Sequence, residues 1–248
     1  MPPRLDTTAQ RLFLDQPMIA GATLALDKGQ ANYLLTVLRM REGAGLLVFN
    51  GRDGEWRAQL TAVEKKSASL VLTQQTRPQP APSDIWLCFA PVRNARLDFM
   101  VQKAVEMGVA KLLPIITSRT QVQRLNLERL KANIIEAAEQ CGVLAIPELT
   151  EEIRFGKLDQ AIATPRTIIF CDELAEVADP LVALKALQHG SPVAVFIGPE
   201  GGFDADERLA LRNWPGCIAI ALGPRILRAD TAIVAALSAV QLAIGDWR

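Results

Sequence analysis

Two short apolar runs near the C-terminal end, residues 193–197 and 218–222, constrain this chain more than any other stretch. Each reads as a buried parallel strand, and each turns through Gly-Pro before a helical pattern begins. The first turn is Phe196-Ile197-Gly198-Pro199-Glu200-Gly201-Gly202-Phe203. The second is Leu222-Gly223-Pro224-Arg225-Ile226-Leu227-Arg228-Ala229-Asp230-Thr231. Glycine lets bare main chain approach a bound group, proline keeps the turn stiff, and the carboxyl ends of parallel strands are where open α/β sheets bind ligands. Asp204-Ala205-Asp206-Glu207 has capping-box spacing, which predicts a helix start directly after the first turn. Neither turn is a phosphate cradle: Gly-x-x-x-x-Gly-Lys-Ser/Thr and Gly-x-Gly-x-x-Gly are both absent from the sequence.

The two turns, extended to Ala232, closely resemble the C-terminal signatures of the RsmE family, the 16S ribosomal RNA uridine N3-methyltransferases of the knotted SPOUT class. An Ile-Leu-Arg after Leu-Gly-Pro-Arg has no generic structural reason to recur, so the longer motif is specific. The resemblance continues upstream. Arg11-Leu12-Phe13-Leu14, Tyr33-Leu34-Leu35-Thr36-Val37-Leu38-Arg39 and Val48-Phe49-Asn50-Gly51 look like the family's PUA-like RNA-binding domain. Later signatures are resembled by Gln102-Lys103-Ala104-Val105-Glu106-Met107-Gly108-Val109 with Pro114, by Thr117-Ser118-Arg119-Thr120, and by Glu139-Gln140-Cys141-Gly142 with Pro147-Glu148. The chain departs from the pattern just there, because an arginine usual a few residues after Glu-Gln is absent and residues 143–146 are all apolar. A contact assigned to that arginine loses its support.

Half of the 248 residues are apolar, ample for a core, so a soluble globular chain is expected. No apolar run approaches the roughly 20 residues needed to span a bilayer, and Met1-Pro2-Pro3-Arg4 leads into no signal-peptide hydrophobic segment. A cytoplasmic location with no membrane partner follows as the expectation. The four cysteines, Cys88, Cys141, Cys171 and Cys217, show no Cys-x-x-Cys spacing and read as buried, reduced core residues. His189, the one histidine, precedes Gly190 at an expected helix end, where capping or exposure suits it better than metal ligation. No metal site is expected. Formal net charge is zero, yet between residues 85 and 131 Arg93, Arg96, Lys103, Lys111, Arg119, Arg124, Arg129 and Lys131 face only Asp98, Glu106 and Glu128. Such a locally basic face fits nucleic-acid contact, although each charge alone also reads as solvated helix surface.

Residues 11–14, 22–26, 45–49, 56–63 and 68–73 read as short strands, with Asn50-Gly51 and Asp53-Gly54 as turns and one helical stretch through Ala31, Leu34, Leu35 and Leu38. This predicts a small β-barrel with one helix over residues 1–76. Arg77-Pro78-Gln79-Pro80-Ala81-Pro82-Ser83 is a stiff proline-rich spacer, placed here as a linker over residues 77–84. Over residues 85–248 strands near 85–90, 111–116, 167–171, 193–197 and 217–222 alternate with helices, which predicts an α/β domain around a mostly parallel sheet. The helix after the first of these strands should bury Leu97, Met100, Val101, Ala104, Val105 and Gly108. The stretch 231–245 is apolar almost all round and should be buried on both sides. Packing within one domain would achieve this; the resemblance implies instead the tail of a trefoil knot that also forms part of a homodimer interface.

The resemblance further implies S-adenosylmethionine as cofactor, held largely by main chain, with Phe170, Ile197, Gly198, Gly201, Gly202, Gly223 and Leu227 as contacts and Leu222 and Ile226 as walls of an adenine slot. A third loop should leave the strand ending Phe170-Cys171-Asp172-Glu173, whose acids would otherwise only cap the next helix. Methyl transfer to a uridine N3 demands alignment and removal of a proton rather than covalent work by the protein. Arg228 is the first candidate to stabilise an imide anion, and Asp230 or Glu200 could accept the proton or simply fix a loop. For the RNA, by the same likeness, Arg11, Arg39 and Arg41 are contact candidates in the barrel and Arg93, Lys103 and Arg119 beyond it. The partner implied is 16S ribosomal RNA in the small ribosomal subunit. A non-catalytic RNA-binding protein, a related methyltransferase acting on another RNA, and a hydride-transfer enzyme are the alternatives; the paired turns speak against the first and the missing glycine fingerprint against the last.

Overall fold

The computed structural model describes residues 6, 8–64, 67–93, 95–122, 124–175 and 179–247. The Met1-Pro2-Pro3-Arg4 segment lies outside the described residues. Two compact units are present, Met1–Ala81 with Ala138–Ala145, and Pro82–Ala137 with Ile146–Arg248.

In the first unit, β1 (Arg11–Phe13), β2 (Thr23–Ala25), β3 (Gly45–Phe49), β4 (Glu55–Thr61) and β5 (Ser69–Arg77) form one sheet in the order β1-β3-β4-β5-β2. All pairs are antiparallel except β1 with β3. Along β4, Ala58 and Leu60 are buried while Arg57 and Gln59 are exposed, the period-two pattern of a sheet with one dry face. Leu12, Leu24, Val48, Leu60 and Leu70, one from each strand, share a single core cluster. Both edge strands can reach that core only if the sheet curls on itself, so the predicted small barrel is what forms. Helix α1 (Lys28–Asn32) starts at the Asp27–Gln30 capping box and runs into a π-turn over Tyr33–Val37 that delivers Leu34 to the core. Strand β5 extends to Arg77, so the first residue of the expected linker is a strand residue.

The second unit contains β6 (Ile85–Phe89), α2 (Ala95–Glu106), β7 (Lys111–Ile116), α3 (Leu127–Cys141), β8 (Glu148–Leu149), β9 (Ile153–Arg154), α4 (Leu158–Ala161), β10 (Thr167–Cys171), α5 (Pro180–Lys185), β11 (Val193–Ile197), α6 (Ala205–Arg212), β12 (Cys217–Ile220) and α7 (Ala229–Ala243). From Ala138 onward α3 groups with the first unit. The sheet runs β12-β10-β11-β6-β7-β8, with β9 also beside β7, and every pair is parallel. Alternate residues serve opposite layers. Phe196 of β11, Phe170 of β10 and Ile115 of β7 enter one core with Leu158 of α4 and Leu211 of α6. Val193, Val195 and Ile197 therefore face the other way, where α7 packs on β11, α2 and α5. Each such fully buried side chain contributes roughly 1.5–3 kcal/mol relative to exposure.

Three expectations change. Helix α7 buries Ile233, Leu237 and Val240 completely, but within this chain it is dry on one side only, because Leu242 is 51% exposed. The cysteines are not uniformly buried: Cys88 is, Cys171 and Cys217 are half-buried, and Cys141 is exposed, since it ends an amphipathic helix rather than a strand. The basic stretch does not form an open basic face. Arg96 pairs with Glu200, Lys103 with Glu106, Lys111 with Glu148, Arg129 with Asp98 and Lys131 with Glu128, so nearby carboxylates neutralise most of it.

Candidate active site

Because β10, β11 and β12 are parallel, the loops that follow them leave the same edge of the sheet, and β10 lies between the other two. The loop after β10 therefore stands between the two Gly-Pro turns. It and the second turn enclose a pocket of about 310 Å³, lined by Cys171, Asp172, Glu173 and Leu174 on one side and by residues 222–227 with Ala232 on the other. That size is at the lower end of the range for small-molecule sites. Gly223 adopts φ 100, and a Cβ there would meet open space, so its main chain is bare towards the pocket. Ile226 is 92% exposed, an aliphatic side chain held at the rim rather than in the core. Leu222 and Leu227 are half-buried walls.

The first turn lies elsewhere. Pro199, Glu200 and Gly201 line a separate small cleft with Pro91, Arg93 and Arg119. Arg119 donates to the Gly201 carbonyl at 2.7 Å, and Arg96 pairs with Glu200. Ile197 is buried and its carbonyl accepts from the Ala90 amide, so its side chain belongs to the core. Gly198 is a packing glycine as much as a ligand glycine, since a Cβ would stand 2.9 Å from the Phe203 ring. Only Gly202 approaches the pocket loop; a Cβ there would be 3.4 Å from Glu173 Oε1. The Phe170 side chain is corrected as a cofactor contact, because it is fully buried beneath the turn with its ring edge-on to Phe203 at 5.3 Å. The capping box at the start of α6 forms as read, Asp204 accepting from the Glu207 amide. Glu207 also accepts from Ser118, tying the Thr117-Ser118-Arg119-Thr120 loop to α6.

Arg228 is the N-cap residue of α7; its carbonyl accepts from the Ala232 amide, while its guanidinium is exposed and without a hydrogen bond or ion pair among the described residues. Asp230 is half-buried in the first turn of the same helix, where it accepts from the Thr231 amide. Both follow the pocket wall directly in sequence, whereas Glu200 sits in the other cleft. Burial pushes the Cys171 thiol up to about 12, so it stays protonated at neutral pH and offers no thiolate to the pocket.

The acids after β10 do not cap α5; Asp179 does that. Asp172 is instead buried, accepting from Arg212 Nε and Nη2 at 2.9 and 2.7 Å, with Arg208 Nη1 3.2 Å away. Sequence reading missed this cluster. The one signal for it was Arg208 and Arg212, four apart on α6 and so presented on one face.

Among the RNA candidates Arg11 is also corrected. It is 5% exposed, and its guanidinium is committed to Glu55 and to the Asp6 and Ala9 carbonyls. Lys103 is held by Glu106 over the Phe99 ring. Arg39, Arg41 and Arg93 are exposed and unpaired among the described residues. Arg39 holds φ 55, a left-handed conformation uncommon for a side-chain-bearing residue, directly after the π-turn. Among the described residues no cluster of metal-ligating side chains occurs and no helix is long and apolar enough to cross a membrane.

Comparison with known proteins identifies the family. Residues 79–241 match the RNA methyltransferase domain family and residues 26–73 the RNA methyltransferase PUA domain family. Ribosomal RNA small subunit methyltransferase E of Synechocystis is 30% identical, covering 94% of this chain and 77% of that protein. The enzyme of the same name from Rickettsia conorii is 29% identical over 94% of this chain and 95% of its own length. Ribosomal RNA small subunit methyltransferase E of Neisseria gonorrhoeae, solved with S-adenosyl methionine, superposes with a TM-score of 0.83 at 29% identity, covering 97% of this chain and all of that one. A methyltransferase of Legionella pneumophila solved with bound SAM gives 0.82 at 30% identity, covering 95% of this chain and 98% of that one.

Proposed function

The chain belongs to the ribosomal RNA small subunit methyltransferase E family, and from that membership we propose that it transfers a methyl group from S-adenosylmethionine to N3 of one uridine in 16S ribosomal RNA. The target lies in the decoding region, and the assembled small ribosomal subunit is the working partner. The observation that carries the reading is the pocket between the loop after β10 and the second Gly-Pro turn, at the carboxyl ends of parallel strands. Its residues fit the donor. Leu174, Leu222, Ile226 and Leu227 offer an adenine ring apolar walls, and the bare main chain around Gly223 offers hydrogen-bonding groups at close approach.

Bound there, the donor supplies a methyl group activated by its sulfonium. The protein's own part is alignment and proton handling. In this reading Arg228, unpaired among the described residues, stabilises the imide anion of the base as N3 loses its proton. Asp230 is the better acceptor for that proton, because Glu200 would first have to leave Arg96. A protonated Cys171 in the pocket agrees with direct transfer, without a covalent intermediate on the protein. Exposed Arg39, Arg41, Arg93 and Arg119 supply phosphate contacts. Leu242, Ile226 and Trp247, all exposed and apolar, support a homodimer built around α7 and the second turn.

Isothermal titration should show S-adenosylmethionine binding and no NADH binding. Nucleoside mass spectrometry of small-subunit RNA from a deletion strain should show N3-methyluridine lost, and regained with the restored gene. Persistence of the modified nucleoside, with no second enzyme for it, overturns the substrate. Light scattering at micromolar concentration should report a dimer; a monomer that still methylates RNA removes the interface.

A further inference from the structure

Asp172 is the most buried charged group beside the pocket, and the donor reading as stated gives it no task. Its side chain is wholly inaccessible, which is costly for a carboxylate unless it is paired and hydrogen-bonded. Both Arg212 bonds fall on Oδ2, while Oδ1 accepts from the Leu174 amide at 3.0 Å. Arg212 Nη2 also donates to the Leu174 carbonyl at 3.0 Å. Leu174 thus has its amide and its carbonyl both held, one by Asp172 and one by the arginine that Asp172 orients. Its side chain is nonetheless 66% exposed and lines the pocket. A loop leucine whose main chain is fixed twice over while its side chain stands clear of the core is a wall built in advance. The Asp172 amide, in turn, donates to the Ile220 carbonyl at the end of β12, two residues before the second turn begins. Arg208 adds a bond to Glu173 Oε1 at 2.7 Å, so α6 grips two consecutive pocket residues.

We propose that Asp172, pinched by Arg208 and Arg212 of α6, is a positioning residue that holds the Leu174 wall of the methyl-donor pocket in shape. It touches neither reactant, and it acts through Leu174. The proposal rests on the methyltransferase reading. Its consequence is that donor affinity depends on a pair of arginines from the helix following the first turn, although that turn lines a different cleft.

Two variants test it. Arg212→Lys keeps the positive charge but cannot serve Asp172 and Leu174 at once, because an ammonium lacks the planar fork of a guanidinium. Leu174→Ala removes the exposed wall itself without disturbing the buried pair, and so stays folded whatever Asp172 does for stability. For both, the Kd of S-adenosylmethionine by titration should rise about tenfold, the scale of one lost hydrogen bond in Arg212→Lys and of a lost apolar contact in Leu174→Ala. The donor KM should rise with it, while the RNA KM and kcat at saturating donor stay near wild type. A cluster that served folding alone would lower kcat by reducing the active fraction and leave the donor KM unmoved, and that result in Arg212→Lys overturns the proposal. Wild-type protein that binds no donor would overturn the methyltransferase reading and the clamp together, whereas normal donor binding in wild type and in Arg212→Lys removes the clamp alone.

Discussion

Each unit of this molecule buries one carboxylate between two arginines, and the two clusters differ in what lies beside them. In the first unit Glu55 accepts from Arg11 Nε at 2.9 Å, from Arg77 Nε and Nη2 at 3.0 and 2.7 Å, and from the Thr76 hydroxyl at 2.8 Å. Every acceptor direction is filled by strand residues of β1 and β5, and Arg11 is almost as inaccessible as the acid it pairs. In the second unit the acid is equally dry, but one of its arginines reaches the surface: Arg212 is 41% exposed, and one acceptor site goes to a loop amide. The first cluster fastens strands to strands. The second fastens a loop to a helix at the rim of a pocket. Identical chemistry serves as a strut in one place and as a shaping device in the other, and the neighbour decides which.

Glu55→Gln should break the comparison at its strongest point. Removing one partner of a buried ion cluster costs about 3–5 kcal/mol, because the remaining charges stay buried without compensation. Urea denaturation should show that loss in the first unit, while S-adenosylmethionine binding, read by titration below the unfolding transition, stays at the wild-type value. Acid should work on the same group more gradually. Burial alone would raise the Glu55 carboxyl, but the hydrogen bonds from Arg77, Thr76 and Arg11 outweigh it and hold the group below its ordinary 4.5. A depressed carboxylate stabilises the fold above its unfolded value and loses that contribution as pH falls through the folded one. Stability of the first unit should therefore decline below pH 4.5, and the decline should flatten in Glu55→Gln.

Glycines obey the same division between strut and pocket. A side chain at Gly198 must displace the Phe203 ring, itself packed on Phe170, so Gly198→Val should cost about 1–3 kcal/mol of overpacking and disturb the fold locally. Gly223→Val meets open space and suffers only its positive φ, a strain of about 1–3 kcal/mol at most, in a loop at the pocket. Thermal melts should show losses of similar size in the two variants. Titration should nevertheless show donor binding lost in the folded Gly223→Val. If Gly223→Val binds normally, the second turn is not the donor site.

Strands β7, β10 and β11 were legible to the residue, because each is a short, mainly apolar run bounded by turn signals. The capping box at Asp204 was legible because both its partners lie within four residues. Strands β8 and β9 were not, since two residues carry no period. The charged clusters were illegible for a different reason. Arg11 and Glu55 are 44 positions apart and Asp172 and Arg212 are 40, and an arginine looks the same in sequence whether it meets solvent or a buried carboxylate. The basic stretch misled in the same way, because Glu148 and Glu200, two of the acids that neutralise it, come from outside its window. Of the pocket, the second turn was visible as a motif, while Leu174 was not, because what makes it a wall is the holding of its main chain.

The smallest effect expected separates Arg39 from Arg11, two of the three arginines of the first unit that looked alike in sequence. Arg39 is exposed, unpaired among the described residues, and held at φ 55 after the π-turn. A residue kept in a strained conformation with its charge free is available for a phosphate, whereas Arg11 has no charge left to offer. Arg39→Glu should leave the urea midpoint unchanged. It should raise the apparent KM for RNA a few-fold, leave the donor KM alone, and reduce the slope of log affinity against log salt by about 1, the signature of one lost phosphate contact. Arg11→Glu, by contrast, places a second acid against Glu55 and should unfold the first unit before any RNA effect can be read. If Arg39→Glu leaves both the RNA KM and the salt slope at wild-type values, the strain at Arg39 belongs to the turn, and RNA is read from another surface.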